Sequence, residues 1–184
     1  MKITTIGDPV LRQVAAPVDP EELRTPAIQQ LIDELIETRR EAGGAGLAAP
    51  QVGVSKRIAV VEVDGATRYR YKPLIPLTVI VNPVIEPLSD ETLLINEGCL
   101  SIPDLRGDVP RYLRALVKYF DRNGARSEQV VEGLTAGTFQ HEVDHLDGVL
   151  LVDRADPRSL STWEQFARNG EQEFLARVAP YTRS

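Results

Sequence analysis

A single cysteine in 184 residues excludes an internal disulfide framework, so Cys99 is either a small buried hydrophobe or a chemically used thiol. Histidine is nearly as scarce, with two residues. Positive charge is in deficit: 21 Lys and Arg stand against 27 Asp and Glu, a net of −6. That balance gives no electrostatic reason for a phosphate-backbone partner, and no specific nucleic acid is expected. Long apolar runs are missing too. Nothing approaches the roughly 18 apolar residues of a membrane span, and the opening MKITTIGDPVLRQ lacks the apolar core of a signal peptide. A soluble, cytoplasmic protein without a membrane partner is the expectation. Apolar residues make up 42% of the chain, enough for one core, and the length fits one domain over residues 1–184.

From Pro26 to Ala42 the residues Ile28, Leu31, Ile32, Leu35 and Ile36 recur at helical spacing, with Thr25 placed to cap the helix and Gly43-Gly44 to end it. The following GGAGLAAPQVG reads as a closely packed loop. Strands are expected at Arg57 to Val63, Thr78 to Ile85 and Thr92 to Ile95. Leu113 to Phe120 and Ala125 to Glu132 flank the turn Asp121 to Gly124 and form a hairpin. Leu134 to Asp147 suits a helix, and Val149 to Val152 a short buried strand or core plug. Ser161 to Glu164 reads as a capping box opening one last helix to Val178. The fold class is therefore α+β, with short antiparallel sheets packed around a central helix and with an N-terminal and a C-terminal helix.

That central helix carries His141-Glu142-Val143-Asp144-His145, and both histidines of the chain lie in it. Positions i and i+4 share a helix face, so both imidazoles reach one metal, while Glu142, a step of about 100° away, reaches a water beside it. A catalytic site of this kind takes three protein ligands, and no histidine remains. Two sources are open: Cys99 as thiolate, in the glycine-flanked Glu97-Gly98-Cys99-Leu100-Ser101, or a carboxylate from Glu164, Glu171 or Glu173 on the C-terminal helix. Gly44 to Ala49 matches a G-x-G-x-x-A dinucleotide fingerprint, but a helix precedes it where a strand is required, and Pro50 follows. The catalytic reading of this loop rests on Gln51, whose amide donor beside a metal stabilises an oxyanion. From Arg106 to Arg126 six basic residues face two acidic ones, a local +4 that suits a solvated hairpin. Within it, Arg111 is placed to pair with Asp144 and brace the metal helix.

GAGLAAPQ at Gly44 to Gln51, EGCLS at Glu97 to Ser101 and QHEVDHLDG at Gln140 to Gly148, with GDPVLR at Gly7 to Arg12, resemble the signature motifs of the peptide deformylases. The resemblance implies removal of the N-formyl group from the initiator methionine of nascent polypeptides, with release of formate and with transient ribosome contact as an allowed partner. It implies Cys99, His141 and His145 as metal ligands, for ferrous iron exchangeable with zinc, nickel or cobalt. It implies Glu142 as general base and then acid, Gln51 and the backbone N–H of Leu100 as oxyanion donors, and Gly46 alongside the substrate backbone. Ala45, Ile95, Leu134, Gly137 and Thr138 would line the methionine pocket. Ala45, Gly137 and Thr138 are small where the family often has larger apolar groups, so a roomier methionine pocket is expected, while size alone leaves the strictness of methionine selectivity open. A metallopeptidase with a glutamate third ligand, a cysteine hydrolase and a metal-stabilised binding module are the competing readings.

Overall fold

The apolar stripe of Pro26–Ala42 folds as the periodicity requires. In the computed structural model, which describes residues 1–65 and 69–182, it forms the 17-residue helix α2, preceded by the single turn α1 (Pro20–Leu23). Thr25 Oγ1 accepts from the Ile28 N–H at 3.4 Å, Pro26 occupies the first turn and Gly43 ends the helix. Beyond it the expected loop is in part regular. Gly46–Ala48 is a short strand, β1, and Ala49–Val52 a turn of 3-10 helix. Glycine and alanine propensity argues against a strand here, but β1 is ordered by pairing with β2 (Ile58–Val63), which places Gly46 opposite Val61.

β2 is buried along its whole length because both of its faces are covered. Ile58 and Val60 pack with the apolar stripe of α2. Ala59, Val61 and Val63 pack with Ala136, Phe139 and Val143 of α3 (Gly133–Leu146), the helix that carries the two histidines. Next to β2 lies β3 (Ile75–Pro87), longer than the expected Thr78 to Ile85 and broken in register between Val81 and Val84. Asn82 sits there at φ 50, a conformation asparagine tolerates, and its side chain bonds the Val18 N–H at 2.9 Å and the Val18 carbonyl at 2.8 Å. The hairpin of β6 (Arg114–Phe120) and β7 (Arg126–Glu132) forms as expected and completes a five-stranded antiparallel sheet in the order β1-β2-β3-β6-β7.

A second sheet is built on a long hairpin of β4 (Thr92–Cys99) and β5 (Ile102–Tyr112), with β8 (Ser161–Thr162) on its edge. β4 runs four residues past the expected Ile95 and carries the EGC motif itself, so Cys99 ends a strand instead of following one. α3 packs against strands of both sheets, which makes it the central helix. Near the C-terminus the core-plug alternative for Val149 to Val152 is the one realised, and the single last helix is corrected. Leu151–Arg154 is a helical turn, α4, with Leu150 and Leu151 buried beside Leu11 and Val109, so this run is a core plug and no strand. The single last helix is two, α5 (Trp163–Asn169) and α6 (Glu171–Val178), separated at Gly170. Thr162, one residue later than expected, is the N-cap and accepts from Gln165 N at 3.3 Å. The break lets Phe166 and Phe174 join one cluster with Leu93, Ile95 and Leu134.

Candidate active site

His141 and His145 project from one face of α3, one turn apart, with ring centroids 5.0 Å apart. The end of β4 brings Cys99 to them, its Sγ 3.2 Å from His145 Nε2. The ligand atoms of Cys99, His141 and His145 lie within 4.8 Å of one another. Glu164, Glu171 and Glu173 are exposed on α5 and α6 and take no part in this cluster, so the thiol is the third donor the geometry offers. Two imidazoles and one thiolate form a donor set that borderline and soft divalent cations accept.

Behind the cluster lies a buried charged chain that the sequence showed only in part. His141 Nδ1 is 2.8 Å from Glu97 Oε2; Arg111 donates to both Glu97 oxygens at 2.7 and 2.9 Å and to Asp144 at 2.5 Å. Arg154 closes the chain with two bonds of 2.8 Å to Asp144. The Arg111–Asp144 pair was foreseen. Glu97 has no expected role; the signal that could have found it is that a histidine placed to hold a metal commonly donates its other ring N–H to a carboxylate. Burial works to raise the Glu97 pKa, but the Arg111 charge and the bonds from Arg111 and His141 outweigh it and hold the carboxyl well below its usual range. An ionised Glu97 accepts the Nδ1 proton of His141 and so turns Nε2 toward the cluster.

Glu142 is 3% exposed and lies against β1. A Cβ at Gly46 would come within 2.6 Å of Glu142 Cγ, so this glycine is what lets the carboxylate pass. Among the described residues Glu142 Oε2 has no hydrogen-bond partner. Burial pushes its pKa up to about 7, against the opposing charges of His141 and Lys72. Gln51, from the 3-10 turn after β1, is held by its Oε1, which accepts from Ala48 N at 2.8 Å. Its Nε2 donates to Ser101 Oγ at 3.2 Å and faces Cys99 Sγ at 3.7 Å. A buried acceptor, an amide donor and a three-donor cluster therefore meet at one cleft, an arrangement that offers one group for a proton and a separate one for a developing negative charge.

Ala45, Gly46, Ile95, Leu100, Leu134, Gly137 and Thr138 all border this cleft with Glu142. The roomier pocket expected from the small residues does not follow. A Cβ at Gly137 would strike Ile95 Cδ1, so the isoleucine already fills that space. On the Thr138 side the Nζ of Lys72 reaches Thr138 Oγ1 at 2.8 Å. Burial pushes the Lys72 pKa down to about 8, with Glu97 and Glu142 acting the other way. Lys72, Tyr69 and Tyr71 line the cleft and were missed, because their stretch between two strands has no period to read. Tyr71 stacks edge-on against Phe174 at 5.3 Å, and Tyr69 lies 6.1 Å from Trp163, which ties this wall to α5 and α6.

Known proteins share both sequence and shape with this chain. A family model described as polypeptide deformylase matches residues 1–161. Peptide deformylase 1 of Bordetella pertussis is 47% identical over 152 residues, covering 83% of this chain and 85% of that protein. The Met-Ala-Ser-bound class I type b peptide deformylase of Acinetobacter baumannii superposes with a TM-score of 0.80 at 42% identity, over 84% of this chain and 97% of that one. The peptide deformylase of Thermotoga maritima gives 0.75 at 39% identity, over 85% and 97% of the two chains. The match extends across the EGCLS and HExxH segments that meet in the cleft, and the chain belongs to the polypeptide deformylase family.

Proposed function

We propose that the chain, a metal-dependent hydrolase that takes the N-formyl group from N-formylmethionyl peptides and releases formate, holds its metal with Cys99, His141 and His145 and moves protons with Glu142. The observation that carries this reading is the convergence of those three ligand atoms within 4.8 Å beside a buried Glu142 carboxylate. When bound, a divalent cation there supplies Lewis-acid polarisation and makes a water more acidic. Ferrous iron is proposed as the resident ion, with zinc, nickel and cobalt suited to the same donors. Glu142 takes the proton of the water that attacks the formyl carbon. As the C–N bond breaks, Glu142 gives that proton to the departing amine, leaving formate and a free N-terminus. Gln51 Nε2 and the Leu100 N–H donate to the oxygen that becomes negative during attack. Gly46 lies along the substrate backbone in the manner of strand addition to β1, and Ala45, Ile95, Leu134, Gly137 and Thr138 receive the first side chain.

Structures of the Acinetobacter baumannii relative with Met-Ala-Ser and with actinonin bound support a formylmethionyl peptide as substrate. No helix among the described residues is long and apolar enough to cross a membrane. A nascent-chain substrate implies a cytoplasmic enzyme in transient contact with the ribosome, and residues 1–184 act as one catalytic domain because α3 and the cleft join both sheets. The experiment measures metal content and formate release from formyl-Met-Ala-Ser for Glu142→Gln and Cys99→Ser. Glu142→Gln is expected to retain metal and peptide while hydrolysis slows by at least about 10². Cys99→Ser is expected to lose metal. Near-normal turnover in the first variant, or parental metal retention in the second, removes the corresponding role.

A further inference from the structure

We propose that Lys72 and Thr138 adapt the first side-chain pocket to N-formylmethionine sulfoxide, so that this chain also deformylates peptides whose initiator methionine has been oxidised. The proposal rests on the pocket assignment above and deepens it. Around that pocket Ala45, Ile95, Leu134 and Gly137 present only apolar or small surface, and an oxygen buried against them alone would be left without a partner. Lys72 changes this. Thr138 Oγ1 donates to the Leu134 carbonyl at 3.0 Å, so its hydroxyl proton is committed and its lone pair receives Lys72. An ammonium carries three N–H donors. One meets Thr138, the face of Tyr69 lies 5.1 Å from the same nitrogen, and donor capacity remains for an acceptor arriving in the pocket. A thioether accepts hydrogen bonds weakly, whereas a sulfoxide oxygen is a polar acceptor on a side chain of nearly the same length. The carboxylates of Glu97 and Glu142 border the same cleft.

The test compares the parent, Lys72→Met and Lys72→Arg on formyl-Met-Ala-Ser and its methionine sulfoxide form, using both sulfoxide epimers. Formate release gives kcat/KM, and calorimetry gives the affinities of the deformylated product peptides. The parent is expected to process a sulfoxide peptide within about tenfold of the methionine peptide. Lys72→Met, which keeps the stem and removes the charge, is expected to increase discrimination against the sulfoxide by about 10- to 100-fold, the worth of one charge-assisted hydrogen bond. Lys72→Arg should recover part of it. The ratio is internal to each variant, so a general loss of stability does not move it. Equal effects of Lys72→Met on both peptides, or parental discrimination as strong as the variant's, overturns the proposal. Absence of formate from every peptide would instead refute the deformylase reading, and the product-peptide affinities would still decide the role of Lys72.

Discussion

Replacing Arg111 by methionine removes the centre of the charged chain behind the Cys99, His141 and His145 cluster while keeping the length of the side chain. Arg111 is 3% exposed and makes three hydrogen bonds, two to Glu97 and one to Asp144. After the change Asp144 keeps two bonds from Arg154, but Glu97 retains only His141 among the side-chain bonds described. Breaking a buried ion pair from one side costs about 3–5 kcal/mol, because the remaining carboxylate stays desolvated. For a chain of this size each kcal/mol moves Tm by about 2–4 °C, so a fall of about 6–20 °C is expected. The support of His141 is weakened as well, and loss of such an outer partner lowers metal affinity by about 10- to 100-fold. Thermal unfolding and metal titration of Arg111→Met should be read beside Arg114→Ala. Arg114 meets Glu132 at 3.6 Å with both side chains more than half exposed, and its loss should stay within about 0.5 kcal/mol. Equal melting temperatures and equal metal affinities for the two variants would refute the brace.

Gly46→Ala should slow formate release by about 10² and lower Tm by about 2–12 °C, because the new methyl group overlaps the buried Glu142 side chain from Cγ to Oε1 and forces it aside; parental turnover would mean that Glu142 adjusts freely. Gln51→Ala should lower kcat by about 10² to 10³ and leave KM nearly unchanged, and a KM effect alone would assign Gln51 to ground-state binding. Glu62 accepts from Arg40 at 2.9 Å through both oxygens and also pairs with the buried Arg39. The Arg40 bonds lead in holding its carboxyl below the ordinary glutamate range, against burial. A depressed carboxylate contributes stability that is present above the unfolded value and lost as pH falls through the folded one. Melts of Glu62→Gln should therefore show a shallower decline than the parent below about pH 4.5, and identical acid slopes would count against the pair.

The sequence by itself determined α2, the β6–β7 hairpin and the two-histidine face of α3. Each is encoded within a few residues, in the 3.6-residue period, in a turn dipeptide, or in the i, i+4 step of a helix. It also narrowed the third donor to a thiol or one of three carboxylates. The resemblance of the EGCLS segment already favoured the thiol, but the way Cys99 and His141 meet is decided by the packing of β4 against α3, and no local spacing reports that meeting. β5 went unread for a related reason. Ile102–Tyr112 contains two prolines and two buried arginines, a poor strand by propensity, and is extended because β4 pairs along it while Arg106 and Arg111 find partners inside. The pocket expectation failed in the same way. Residue sizes at Gly137 and Thr138 say how much volume a position gives up, but Ile95 and Lys72, from other segments, decide whether that volume is free. Short-range order is written in spacing along the chain, whereas the shape and charge of the cleft arise from contacts between distant segments, which exist only once the core has closed.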